Sequence, residues 1–291
     1  MGVFVKSVLI FLFLFSKVSF SNSFLRPELM IRDGSLVPLK KQKLQFSFYE
    51  KNDEKYTKFK SFHMKPMHLV VVKSDLSYFS HIHPYLNENS FEININDTYP
   101  EDFDNQFTAR VIPEHGTYFL FSEINTEDFG ALEFRFEEKT SEMGRELPLE
   151  EDLKNENGDY FRELDENKRV VFQVQQIPGC GGVLVDFVFH FLERNMNQGR
   201  YEDLSGLEPW MMMGGHSIVL SEAGRTAQAK TFLHLHADLP SQNSQYRFST
   251  FNRGSLSKGI YRIWSQVKVR GRILTVPMTF KFNPVAPLEC S

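Results

Sequence analysis

Met67-His68-Leu69-Val70-Val71-Val72, followed by Phe79-Ser80-His81-Ile82-His83-Pro84, has a counterpart later in the chain. There Gly215-His216-Ser217-Ile218-Val219-Leu220 is followed by Phe232-Leu233-His234-Leu235-His236-Ala237. In each copy a single histidine opens a short apolar run, and a polar turn then leads to a His-x-His pair. Working outward, Gly116-Thr117-Tyr118-Phe119-Leu120 matches Gly259-Ile260-Tyr261-Arg262-Ile263 downstream. Upstream, Leu44-Gln45-Phe46-Ser47-Phe48 matches Val188-Phe189-His190-Phe191. Four landmarks in one order define an internal repeat.

Each repeat reads as strands: short apolar or alternating runs bounded by turn residues, with no long 3.6-residue period. Leu44–Tyr49, His68–Val72, Thr117–Ser122, Val183–Leu192, Ile260–Val269 and Arg272–Phe282 are the clearest. Ser74-Asp75, Ala223-Gly224 and Arg270-Gly271 mark turns. Strands spaced about ten residues apart in units of about 100 residues predict an all-β chain of two tandem β-sandwiches, with a small barrel as the alternative. The 291 residues suffice for two domains. We place a signal peptide at 1–21, the first sandwich at 22–135, an acidic linker at 136–169 and the second sandwich at 170–291. The linker holds 12 acidic and 6 basic residues and reads as a solvated segment with a helical turn near Leu149–Lys154.

The amino terminus points to export. Lys6 precedes the apolar run Val8–Phe15, and Ser19 and Ser21 supply small residues at a cleavage site. The run is shorter than the ~20 residues of a membrane-spanning helix, so an uncleaved anchor is the lesser alternative. A periplasmic or secreted protein with no membrane span after cleavage is expected. A net charge of -4 without a Lys/Arg block argues against nucleic-acid partners. Export would allow the two cysteines, Cys180 and Cys290, to bridge, although unpaired thiols fit the sequence equally.

Six of the nine histidines fall in the two matched motifs. In the first, a turn near Ser74-Asp75-Leu76 sets His68 opposite His81 or His83; in the second, pairing His216 with His234 or His236 centres the turn in the loop Glu222–Lys230. Residues i and i+2 share a face of a strand, and directly opposed residues share a face of a ladder. Three imidazoles should therefore crowd one side of each hairpin, within reach of one ion. We expect two sites, His68/His81/His83 and His216/His234/His236. Imidazole suits copper and zinc, and three histidines leave a coordination position open. Met67 and Met213, beside the single histidines, add soft ligands that favour copper, with zinc as the alternative. His63 is a further candidate, whereas His115 and His190 read as ordinary turn and strand residues. The competing account is a structural histidine network with methionines filling core gaps.

The second repeat carries a resemblance. Leu207-Glu208-Pro209-Trp210-Met211-Met212-Met213-Gly214-Gly215-His216, then Phe232-x-His234-x-His236, then Gly259-Ile260-Tyr261-Arg262-Ile263-Trp264 and Ile273–Pro277, resembles a family of exported bacterial immunoglobulin-like domains. Its pattern is L-x-P-Y-x-G-x-x-G-H followed by F-x-H-x-H-P. The likeness covers most of 170–285 and, more weakly, 40–125. Trp210 stands for the pattern's Tyr and Ala237 for its Pro. The resemblance implies two immunoglobulin-like sandwiches and an association with heavy-metal or copper handling.

The expected function is non-enzymatic transition-metal binding in the cell envelope, with a metal ion and an envelope protein as the candidate partners. A structural or interaction module is the alternative, and a His₃ metalloenzyme a third. No G-x-S-x-G, HExxH or cysteine active-site signature supports catalysis.

Overall fold

Period-2 alternation and β-branched or aromatic residues make strands wherever the sequence predicts them, and the described residues contain no helix. The structure, a computed structural model, describes residues 24–32, 34–62, 64–95, 112–224, 226–238 and 244–289. The signal segment, His63 and Cys290 lie outside the described residues. The first half comprises β1 (Arg26–Ile31), β2 (Gln42–Tyr49), β3 (Met67–Lys73), β4 (Phe79–Ile82), β5 (Tyr85–Asn87), β6 (Ser90–Ile95), β7 (Thr117–Thr126) and β8 (Gly130–Lys139). The second comprises β9 (Tyr160–Glu163), β10 (Lys168–Gly179), β11 (Gly182–Asn195), β12 (Arg200–Asp203), β13 (Leu207–Glu208), β14 (Gly215–Ser221), β15 (Phe232–Ala237), β16 (Gln245–Asn252), β17 (Gly259–Val269) and β18 (Arg272–Phe282).

These strands form two tandem β-sandwiches of matching topology. In the first, a sheet ordered β1-β2-β6-β5 packs on one ordered β4-β3-β7-β8. In the second, β10-β11-β16 repeats the path β1-β2-β6, and β15-β14-β17-β18 repeats β4-β3-β7-β8. Both halves also share a tyrosine corner, a device of immunoglobulin-type sandwiches. The Tyr118 hydroxyl donates to the Glu114 carbonyl at 2.8 Å, and the Tyr261 hydroxyl to the Ser257 carbonyl at 3.0 Å.

The sandwiches are not strung apart on a linker. Strand alternation sends Leu69 and Val71 of β3 into the first core, while Val70 and Val72 point out of that sandwich. In β14, Val219 enters the second core, while Ile218 and Leu220 point outward. The outward sets meet. Val70, Val72, Leu76, Phe119 and Phe121 form one buried cluster with Ile218, Leu220, Ala227, Phe232 and Trp264. The molecule is thus four sheets deep, with the β3 and β14 sheets face to face along a central seam.

The acidic segment 136–169 departs from a solvated linker. Phe136 lies within β8 and in the first core, and Tyr160 belongs to the second core. Leu149 packs on the seam, and Leu149–Lys154 contains no helical turn. The segment is pinned to both halves. The buried Lys73 ammonium donates to the Arg145 carbonyl at 2.7 Å, and the Asp152 and Thr279 backbones are joined at 3.0 Å. Phe136, Leu149 and Tyr160 thus reach cores, whereas Met143, Leu147 and Leu153 stay exposed with the acidic residues. Cys180 is disulfide-bonded, and Cys290 is the chain's other cysteine.

Candidate metal centre at the seam

Both hairpin registers put the histidines on the seam face. Leu69 pairs with Ile82, which continues to His68 opposite His83, and His216 pairs directly with His236. His81 lies across from Val70, and His234 across from Ile218, both seam residues. Because the two seam faces meet, the expected pair of separate sites becomes one centre. His68, His81, His216 and His234 each offer a ligand nitrogen, and the four atoms lie within 4.8 Å of one another. This group could hold a metal ion. Each hairpin taken alone gives a site of its own, and the fold unites the two.

The geometry is close to tetrahedral. All six ring-centroid distances among these four histidines fall between 5.3 and 6.3 Å. His83 and His236 flank the four: His83 Nε2 lies 3.2 Å from His68 Nδ1, and the His234 and His236 rings are 4.6 Å apart. Met67 is not part of the centre. It neighbours His68 on β3, so alternation turns it into the first sandwich core, where it is fully buried. Met213 is buried in the turn before β14, its backbone paired with that of Trp210.

Acceptors around the rings fix which nitrogens carry protons. His68 Nε2 donates to the Phe62 carbonyl at 3.1 Å, leaving a lone pair on Nδ1. His81 Nδ1 donates to Gln266 Oε1 at 3.0 Å, leaving one on Nε2. The amide is oriented by its nitrogen, which donates to Thr275 at 3.1 Å. The two lone-pair nitrogens face each other at 3.3 Å. With His83 Nε2 3.2 Å from the same His68 nitrogen, the group is spaced to share either a proton or a cation. Two ligands about 2.0–2.1 Å from one tetrahedral ion stand about 3.3 Å apart, so the spacing fits. His234 Nδ1 donates to the Glu123 carboxylate, and its Nε2 is buried without a hydrogen-bond partner among the described residues.

Burial pushes the His81, His83 and His216 imidazoles well below the usual histidine range, and charge on neighbouring histidines pushes the same way. The three are therefore held neutral, the form that binds metal. Burial raises the Glu123 carboxyl, but the charge and hydrogen bond of His234, with His68 behind it, outweigh this and the net direction is down.

Glu123 and Gln266, which sequence reasoning missed, complete a pseudo-two-fold pattern. Glu123 pairs with His68 on β7, and Gln266 with His216 on β17. Each then reaches across the seam to the first histidine of the other half's His-x-His pair. The aromatics cross likewise: Phe79 stacks on Trp264 at 4.9 Å, and Phe232 on Phe121 at 4.4 Å. The signal was present in the repeat. Carried three residues further, Gly116–Leu120 ends in Phe121-Ser122-Glu123, and Gly259–Ile263 ends in Trp264-Ser265-Gln266.

The model of a domain of unknown function, DUF8832, matches residues 27–139 and 192–284, more than two thirds of the chain. The chain belongs to the DUF8832 family. Both matched segments contribute to the centre, since the first contains His68, His81 and Glu123 and the second His216, His234 and Gln266. No curated protein matches the chain.

Proposed function

We propose that this DUF8832 protein binds one transition-metal ion, without catalysing a reaction, through His68, His81, His216 and His234 at the seam between its sandwiches. One observation carries the reading: four buried imidazoles from both halves stand at nearly equal separations of 5.3 to 6.3 Å. Rings bound through nitrogen to one tetrahedral ion at about 2.0–2.1 Å have centroids a little over about 5 Å apart. Four protein ligands fill a tetrahedral shell, which suits holding an ion rather than activating water. Copper is the favoured ion and zinc the alternative, since imidazole serves both. The cell envelope or the extracellular space is the expected location.

Titration calorimetry of the mature protein with Cu(I), Cu(II) and Zn(II) tests this. One ion per chain is expected, with tight binding abolished by His81→Ala as fully as by His234→Ala. If each substitution removes half of a two-ion capacity, the halves bind separately and the shared centre is wrong. The 3.2 Å contact between His83 and His68 favours a second reading, a hydrogen-bonded histidine network. That reading expects these substitutions to lower Tm by equal amounts with and without metal.

A further inference from the structure

Both halves approach the centre through turns closed by the same pair of backbone hydrogen bonds. Phe62 and Lys65 close one turn through Phe62 N to Lys65 O at 2.8 Å and Lys65 N to Phe62 O at 3.1 Å. Trp210 and Met213 close the other through Trp210 N to Met213 O at 2.8 Å and Met213 N to Trp210 O at 3.1 Å. Phe62 and Trp210 occupy equivalent positions, six residues before His68 and His216. Both turns lie against the histidines and cross the seam. The Phe62 ring sits 5.9 Å from His236, and the Trp210 ring 4.6 Å from His216 and 6.4 Å from His81.

The third residue of each turn is a methionine, Met64 or Met212, four residues before the single histidine. Both adopt left-handed backbone, with φ of 70° and 67°. Met211 also has positive φ, 51°, so Met-Met fills the centre of a turn that ordinarily takes Asn-Gly or Gly-Gly. A non-glycine side chain there is disfavoured unless something retains it. Packing does not retain these two, because Met64 is 63% and Met212 79% exposed. Two solvent-facing methionines in left-handed backbone thus stand at equivalent places, each two residues from an aromatic ring that lies against the imidazole centre.

We propose that Met64 and Met212, each on its own turn, capture a soft monovalent ion, Cu(I), and pass it to the histidines. Thioether sulfur binds Cu(I) well and Zn(II) poorly. The inference rests on the shared histidine centre and adds both the ion that centre receives and its route. Glycine at both positions relieves the left-handed backbone and leaves the turns intact, so a Met64→Gly/Met212→Gly variant tests the sulfurs rather than the fold.

Stopped-flow transfer from Cu(I)-bicinchoninate, and separately from a chromophoric Zn(II) chelate, is the measurement. In the double variant, Cu(I) transfer is expected to slow at least about tenfold, while Zn(II) transfer stays within about twofold of wild type. Tm should hold or rise. Cu(I) transfer at the wild-type rate, or equal slowing of both ions, overturns the capture site alone. A wild-type protein that accepts neither ion overturns the histidine centre as well.

Discussion

Glu123 is the residue whose role is easiest to isolate. A carboxylate on the far nitrogen of a ligating imidazole fixes its tautomer and raises its basicity. Glu123→Gln keeps the shape and removes the charge. Metal affinity is expected to fall about 10–100-fold, measured by competition with a chelator of known affinity. Protons act on the same groups. The buried His81, His83 and His216 have folded-state pKa values below the unfolded value of about 6.5. As pH falls, the unfolded chain takes up protons first, so stability present in full above about 6.5 is lost on descent toward the folded-state values. Thermal melts of the metal-free protein between about pH 7.5 and 5 should show a falling Tm, and a Tm independent of pH across that range would contradict neutral buried imidazoles.

At the scale of elements, the hairpins were legible because turn position fixes register, and register fixes which side chains share a face. His216 opposite His236 follows from the loop Glu222–Lys230, and Val70 opposite His81 from Ser74-Asp75. The ligand role expected for Met67 failed on the same rule, since a strand neighbour of His68 must face away. Gly214 is an element-scale constraint. A Cβ there would lie 2.1 Å from the Asp238 carbonyl oxygen, at the place where Gly214 N donates to the Ala237 carbonyl at 2.7 Å. Neither atom can yield without parting β14 from β15. Gly214→Ala is expected to destabilise the protein by roughly 1–3 kcal/mol in urea unfolding and to weaken metal binding by displacing His216. Wild-type values for both would show that the two strands tolerate separation.

For the whole molecule, the decisive feature is the pairing of the two inner sheets. Its trace in the sequence was indirect. His68-Leu69-Val70-Val71-Val72 and Ser217-Ile218-Val219-Leu220 lack the polar alternation of a strand with one wet face, and both strands are buried throughout. That says a second layer covers them, but not which layer. Only the assembled fold shows that each half covers the other. The cover is substantial, with Phe232 stacked on Phe121 across the seam. Phe232→Ala should cost about 3–5 kcal/mol and lower metal affinity with it, because the same surface holds the sandwiches together and aligns the imidazoles. Loss of stability with unchanged affinity would mean that the centre does not depend on the seam.

X-ray absorption of the protein loaded with a single equivalent of metal addresses the shared centre most directly. The expected spectrum shows four nitrogen scatterers at about 2.0–2.1 Å with the outer-shell pattern of imidazole, at one ion per chain. A shell of two or three imidazoles completed by solvent, or two ions per chain, would contradict a centre built jointly by His68, His81, His216 and His234.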